Sequence, residues 1–293
     1  MEEKKVPKIK RDYKMKLMVW CVWYTLCLAA GALLSVLIIS KKSFPEFKER
    51  LLIRAGVSVV LGVVIEIIVL GVILPLLINK DRKHLKETLV RISNEGYTPQ
   101  VMFLLDEGYG MTSNDSTRAG YANSYALYLS DAYITQHNYD KALYYNSLVN
   151  TEELFRYDLA GFLLDQLFYH GQRIQLAALT GNIPACEQFM REAQNFFAAS
   201  RGKNPMYDYI MDGSVFEYYF AIGDLARCEA MIRPYEQYSE LKYGVYVSLG
   251  RLYAKKGDVY AANGFFDKAQ LAARNDYLKQ MAENERRIAV NGG

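Results

Sequence analysis

Apolar and polar positions fall into two regimes along this chain. Leu17 to Ser40 and Ala55 to Ile78 are apolar runs of 24 residues each, and the 215 residues that follow mix apolar and polar positions. A helix needs about 20 residues to cross a hydrocarbon core, so either run is long enough. The second run holds 17 Val, Ile and Leu, which favour insertion by about 5 to 10 kcal/mol. Glu66, near its middle, opposes insertion by a few kcal/mol. Insertion wins. A cleaved signal peptide does not explain the first run, because signal cores span about 7 to 15 residues and no small-x-small site precedes Lys41. The pattern predicts a transmembrane hairpin over residues 17–40 and 55–78, closing an anchor region of residues 1–80.

Beyond residue 80 strand signals are nearly absent, and apolar residues recur at helical spacing, as in Leu85, Leu89 and Ile92. Thr98-Pro99 reads as an N-cap with proline in the first turn, opening a helix that Gly108 ends. Residues 81–118 are accordingly expected to form a juxtamembrane helical linker. A pattern then returns four times: ALYLSDAYITQHNYDKALYYNSLV, IQLAALTGNIPACEQFMREA, VFEYYFAIGDLARCEAMIRPY and YVSLGRLYAKKGDVYAANGFFDKAQ. Each copy is an apolar helix, a short polar turn, and a small residue opening a second helix. That small residue is Ala142, Cys186, Cys228 and Ala262 in turn, and nine residues upstream stand Tyr133, Ala177, Tyr219 and Tyr253. Thr151 to Leu179 is too long for one repeat helix, and His170-Gly171 is the expected break. The charged helix over residues 275–290 is expected to cap the stack.

These residues resemble the tetratricopeptide repeat, a helix–turn–helix with a small residue at the crossing of its two helices. The fourth copy carries Leu249-Gly250, Tyr253, Gly257-Asp258, Ala262, Phe266 and Ala269 where the family has its signature positions; the first carries Leu129-Ser130, Tyr133 and Asn138 to Ala142. No copy has the family's early tryptophan or closing proline. The resemblance implies an all-α fold, a solenoid of about four helix pairs over residues 119–293, with a concave groove lined by the first helix of each pair. One groove position then holds Asp131, Gln175, Glu217 and Arg251. The lysine/asparagine clamp of chaperone-binding members is missing, since its positions hold Leu127, Asp131, Gln172, Ile210 and Ser214. The groove implied is one for a mixed or basic protein or peptide partner.

Charge adds orientation to this picture. Residues 1–80 carry 13 Lys/Arg against 6 Asp/Glu (+7), and residues 81–293 carry 22 against 26 (−4), which together give the net +3. Seven basic residues precede the first run, five follow the second, and five lie between the two. Twelve against five places both termini and the repeats in the cytoplasm. The acidic remainder offers no phosphate-binding surface, so nucleic acid is not an expected partner. Cys21 and Cys27 lie in the first run, while Cys186 and Cys228 lie at helix crossings and read as small hydrophobes.

No catalytic set emerges. His84, His137 and His170 are scattered and have no metal-ligand spacing, and there is no phosphate loop or nucleophile elbow. No metal or cofactor is expected. Of the 24 tyrosines, 22 follow residue 96 and serve mainly as packing rings. The sequence therefore supports a non-enzymatic, membrane-anchored scaffold. An alternative is a subunit of a larger membrane complex, in which the hairpin and Glu66 make the specific contact.

Both termini on one side predicts that cysteines placed at Ser43 and Asn291 react oppositely with an impermeant thiol reagent in sealed membranes. Equal labelling would exclude the hairpin.

Overall fold

The computed structural model describes residues 74–156 and 163–291. The two apolar runs, apart from residues 74–78, and Glu66 with them, lie outside the described residues. Among the described residues all regular structure is helical, and no helix is long and apolar enough to cross a membrane. Lys83 to Gly293 form one compact unit.

The unit opens with α1 (Leu74–Glu95) and α2 (Pro99–Ser113). Four longer helices and their partners follow: α3 (Ala119–Thr135) with α4 (Tyr139–Ser147), α6 (Leu163–Leu179) with α7 (Ile183–Ser200), α8 (Pro205–Ile222) with α9 (Leu225–Ile232), and α10 (Lys242–Lys255) with α11 (Val259–Ala272). A single turn, α5 (Thr151–Leu154), lies between the first two pairs, and α12 (Asp276–Asn291) ends the chain. Within each pair the two helices pack on each other; α3 packs on α6 and α6 on α8, so the first three of the longer helices form a row.

One turn, used four times, sets the geometry of every pair. Five residues before the small residue, the backbone turns left-handed: His137 (φ 56°), Gly181 (74°), Gly223 (84°) and Gly257 (80°). The next residue is Asn138, Asn182, Asp224 or Asp258, and its side chain accepts a hydrogen bond from the amide three residues on. Its own N–H donates back to the carbonyl of Tyr133, Ala177, Tyr219 or Tyr253. This is a Schellman closure of one helix joined directly to the N-cap of the next. Orphan groups at the end of one helix and at the start of the next are thus partnered within a few residues.

The small residue sits one turn into the second helix, and all four are fully buried. There the helices touch through the backbone. The Ser130 hydroxyl donates to the Ala142 carbonyl (3.0 Å), and twelve residues also separate the Cys186 thiol from the Ile174 carbonyl it meets (3.4 Å). Cys228 repeats that contact with the Phe216 carbonyl (3.6 Å). Burial pushes the thiols of Cys186 and Cys228 up to about 11 and about 12, so both stay protonated. The upstream tyrosines brace the pair from outside, with Lys141 5.0 Å from the Tyr133 ring centre and Arg227 4.6 Å from that of Tyr219.

Within residues 81–118, Val101 and Leu105 are fully buried against Tyr125, Leu129 and Ala132, which packs α2 on α3 as a first layer. Two expectations are corrected. Gly108 does not end α2, which the predicted Thr98 cap begins. A Cβ at Gly108 would meet the Tyr125 ring at 2.3 Å, so the glycine admits that ring. His170-Gly171 is likewise inside a continuous α6, whose Gly171 faces the Ser214 hydroxyl where a Cβ would come within 2.5 Å. The interruption of the 151–179 stretch falls after α5 instead.

Two substitutions test the repeated turn. Asp258→Ala removes the cap on α11 and is expected to cost about 1 kcal/mol. Ala262→Leu overpacks the crossing and is expected to cost about 1 to 3 kcal/mol; urea denaturation of the two variants reads both effects.

Candidate functional site

Asp131 on α3, Gln175 on α6, Glu217 on α8 and Arg251 on α10 converge on one concavity. It consists of two adjoining hollows of about 620 and 440 Å³ that share all four residues, together with Thr135 and Glu285. The recurrence of the repeat explains this convergence, since one register on each first helix faces the same way.

The charges in the concavity are already engaged. Arg251 forms a two-pronged pair with Glu217 (2.6 and 2.9 Å) and stands 3.7 Å from Glu285. Glu285 in turn meets His137 Nε2 at 2.8 Å, and the Tyr139 hydroxyl is 2.9 Å from His137 Nδ1. Burial opposes the Arg251 charge, but Glu217 outweighs it and holds the guanidinium firmly protonated. Burial likewise pushes the Glu285 carboxyl up, while the His137 hydrogen bond and Arg251 bring it below its ordinary value. The same hydrogen bond raises His137 above 6.5. At the far side the Tyr97 hydroxyl donates to Asp131 (2.5 Å), whose carboxyl is raised by burial. A single chain of alternating charge, Glu217–Arg251–Glu285–His137, thus crosses the site.

Two members of that chain were not read as site residues from the sequence. Glu285 belongs to α12, the charged helix expected to cap the stack. In that place α12 packs on the last pair, α10 and α11, and it also turns Met281, Glu285, Ile288 and Ala289 into the concavity. Its start reaches the first layer, where the Tyr97 and Tyr277 rings meet edge to face at 6.2 Å and Asn275 donates to the Ser93 carbonyl at 3.4 Å. His137 was placed in a turn, and there a signal did exist. It alone occupies a left-handed position that is glycine in the other three copies, a conformation costing a non-glycine residue about 1 to 2 kcal/mol.

The missing clamp positions do structural work. Gln172 is buried, donating to the Leu127 carbonyl (2.9 Å) and accepting from Asn146 (3.1 Å). Ser214 donates to the Ile210 carbonyl at 2.8 Å and fills the notch left by Gly171. The remaining histidines lie elsewhere. His84 Nδ1 is 2.6 Å from the Tyr125 hydroxyl. His170 packs among Phe155, Phe196 and Phe197, where burial lowers it to about 4. Among the described residues, no group of three or more His, Cys, Asp or Glu could hold a metal ion.

The pair His137–Glu285 makes the docking of α12 depend on pH. A raised histidine contributes fully below 6.5 and loses its contribution as pH rises through its folded value; a lowered glutamate contributes above 4.5 and is lost as pH falls. The two overlap between 4.5 and 6.5, where α12 is held most firmly. The protection of residues 276–291 against hydrogen exchange, corrected for the intrinsic rate, is expected to fall as pH rises above 6.5. In His137→Asn, whose asparagine tolerates the left-handed turn, that fall is expected to disappear, with under about 1 kcal/mol lost from the partly exposed pair at pH 6.

No family model, curated protein or solved structure matches this chain.

Proposed function

We propose that this chain is a membrane-anchored, tetratricopeptide-like scaffold that binds a protein or peptide partner in the concavity between its helix pairs, at the cytoplasmic face. The observation that carries this reading is the convergence of Asp131, Gln175, Glu217 and Arg251, equivalent positions of four repeats, on one hollow. The repeat geometry brings these positions to one wall, and polar or charged residues at all four keep that wall open to a ligand rather than closing it as core. The repeated left-handed turn and Asx cap support the repeat reading, because they recur at one register about Ala142, Cys186, Cys228 and Ala262.

The apolar runs and their basic flanks support an anchored, multi-pass chain in contact with the lipid bilayer. Anchoring confines the scaffold to a thin layer and raises its effective concentration for a partner there, so that a micromolar groove suffices. On this reading the chain needs no cofactor, and its role is recruitment rather than catalysis.

Crosslinking in membranes tests the proposal. Partners captured by the full chain are compared with those captured by residues 81–293 on an unrelated anchor. Retention of the same partners is expected; loss of all of them would shift the specific contact to the hairpin and Glu66, as in a subunit of a larger membrane complex.

A further inference from the structure

The concavity that forms the candidate site already holds a helix, and the way it holds that helix describes what else it can take. Ala282 is the one described residue of α12 that is fully buried. The inward side chains around it are only partly covered, and Ile288 remains half exposed at the mouth. On the side facing α11, Arg286 pairs with Asp267 and Gln270 donates to Glu283, while on the concave side Glu285 is the polar anchor, set between Arg251 and His137 from two other elements. Beyond it the fit is loose: Ile288 and Ala289 border the hollow of about 620 Å³, whose opposite wall includes Gln175, Leu179 and Phe220. The helix is joined to α11 by residues 273–275 alone.

We propose that the concave face is a receptor for an amphipathic helix, that α12 is its resident occupant, and that the partner is a helix of the same chemistry that displaces it. Such a partner has a small residue in the register of Ala282, a carboxylate in the register of Glu285, and larger apolar side chains in the registers of Ile288 and Ala289. This rests on the reading of the concavity as a partner site and specifies the partner. The carboxylate satisfies Arg251 and His137 when Glu285 departs, so exchange leaves no buried charge unpaired. The larger side chains fill space that α12 leaves open, which gives the incoming helix its advantage.

The test uses the full chain in detergent and a labelled synthetic peptide of residues 276–291. In Ala282→Asp, hydrogen exchange is expected to rise across residues 276–291 while α3 to α11 keep their protection. The peptide is then expected to bind this variant at least about tenfold more tightly than the wild type. A peptide carrying Glu285→Lys is expected to lose at least about tenfold in affinity for the same variant, and one carrying Ala289→Leu to bind more tightly than the native peptide. If Ala282→Asp disturbs α3 to α11 as well, Glu285→Lys in the full chain replaces it, since Ala282 packing is kept. Unchanged exchange in residues 276–291, or a released chain that binds native and Glu285→Lys peptides equally, overturns the receptor proposal. An Ala289→Leu peptide no tighter than native overturns the bulky registers. Membrane crosslinking of partners is unaffected by these outcomes, so a failure here is distinct from a failure of the scaffold reading.

Discussion

The architecture depends on one constraint: in each pair, two helices must approach closely a fixed distance past a turn that caps both of their facing ends. A side chain larger than cysteine at the crossing would hold the helices apart. A turn lacking its left-handed residue or its Asx cap would strand carbonyls at one end and amides at the other. Both conditions are met at one spacing four times, with a left-handed residue at −5, an Asx cap at −4 and a small residue at 0. Because the turn fixes the relative rotation of the two helices, it also fixes which face of each first helix looks inward. The concavity follows from the turn.

That inheritance explains which parts of the fold were legible in the sequence. The crossing residues and the groove residues lie within one repeat of their own turn, so aligning the small residue finds Asp131, Gln175, Glu217 and Arg251 together. What sequence does not carry is the partner of a residue across a long separation. Gly108 and Gly171 look like helix ends, because a glycine that stops a helix and one that admits a neighbour read alike. Only the positions of Tyr125 and Ser214 tell them apart. Likewise α12 looks like a solvated, charged cap, since Glu285 acquires its role from Arg251, 34 residues away, and from His137 in the first repeat. His137 was the accessible clue, as the one departure from glycine at a position where the other copies need it.

The charge chain across the groove also bears on what a ligand would meet there. Two carboxylates, an amide and an arginine on an open wall would suit a mixed or basic peptide. In the folded chain Arg251 is neutralised by Glu217 and Glu285, and Asp131 accepts the Tyr97 hydroxyl. A basic ligand would have to compete with a two-pronged guanidinium pair, largely buried on both sides. Taking one partner from a pair so buried costs about 3 to 5 kcal/mol. The pair Glu217–Arg251 therefore belongs to the fold, joining α8 to α10.

Glu285 stands differently in that chain. It is 3.7 Å from Arg251 rather than in a two-pronged contact, and its main partner is a titratable histidine. Arg251 keeps Glu217 whether or not Glu285 is present, so loss of Glu285 does not strand the guanidinium. His137 at neutral pH can lose its proton once its acid partner leaves. Of the four charges, Glu285 is the one whose departure the others can absorb. The electrostatics of the groove thus divide into a permanent half that holds two helix pairs together and an exchangeable half that holds α12.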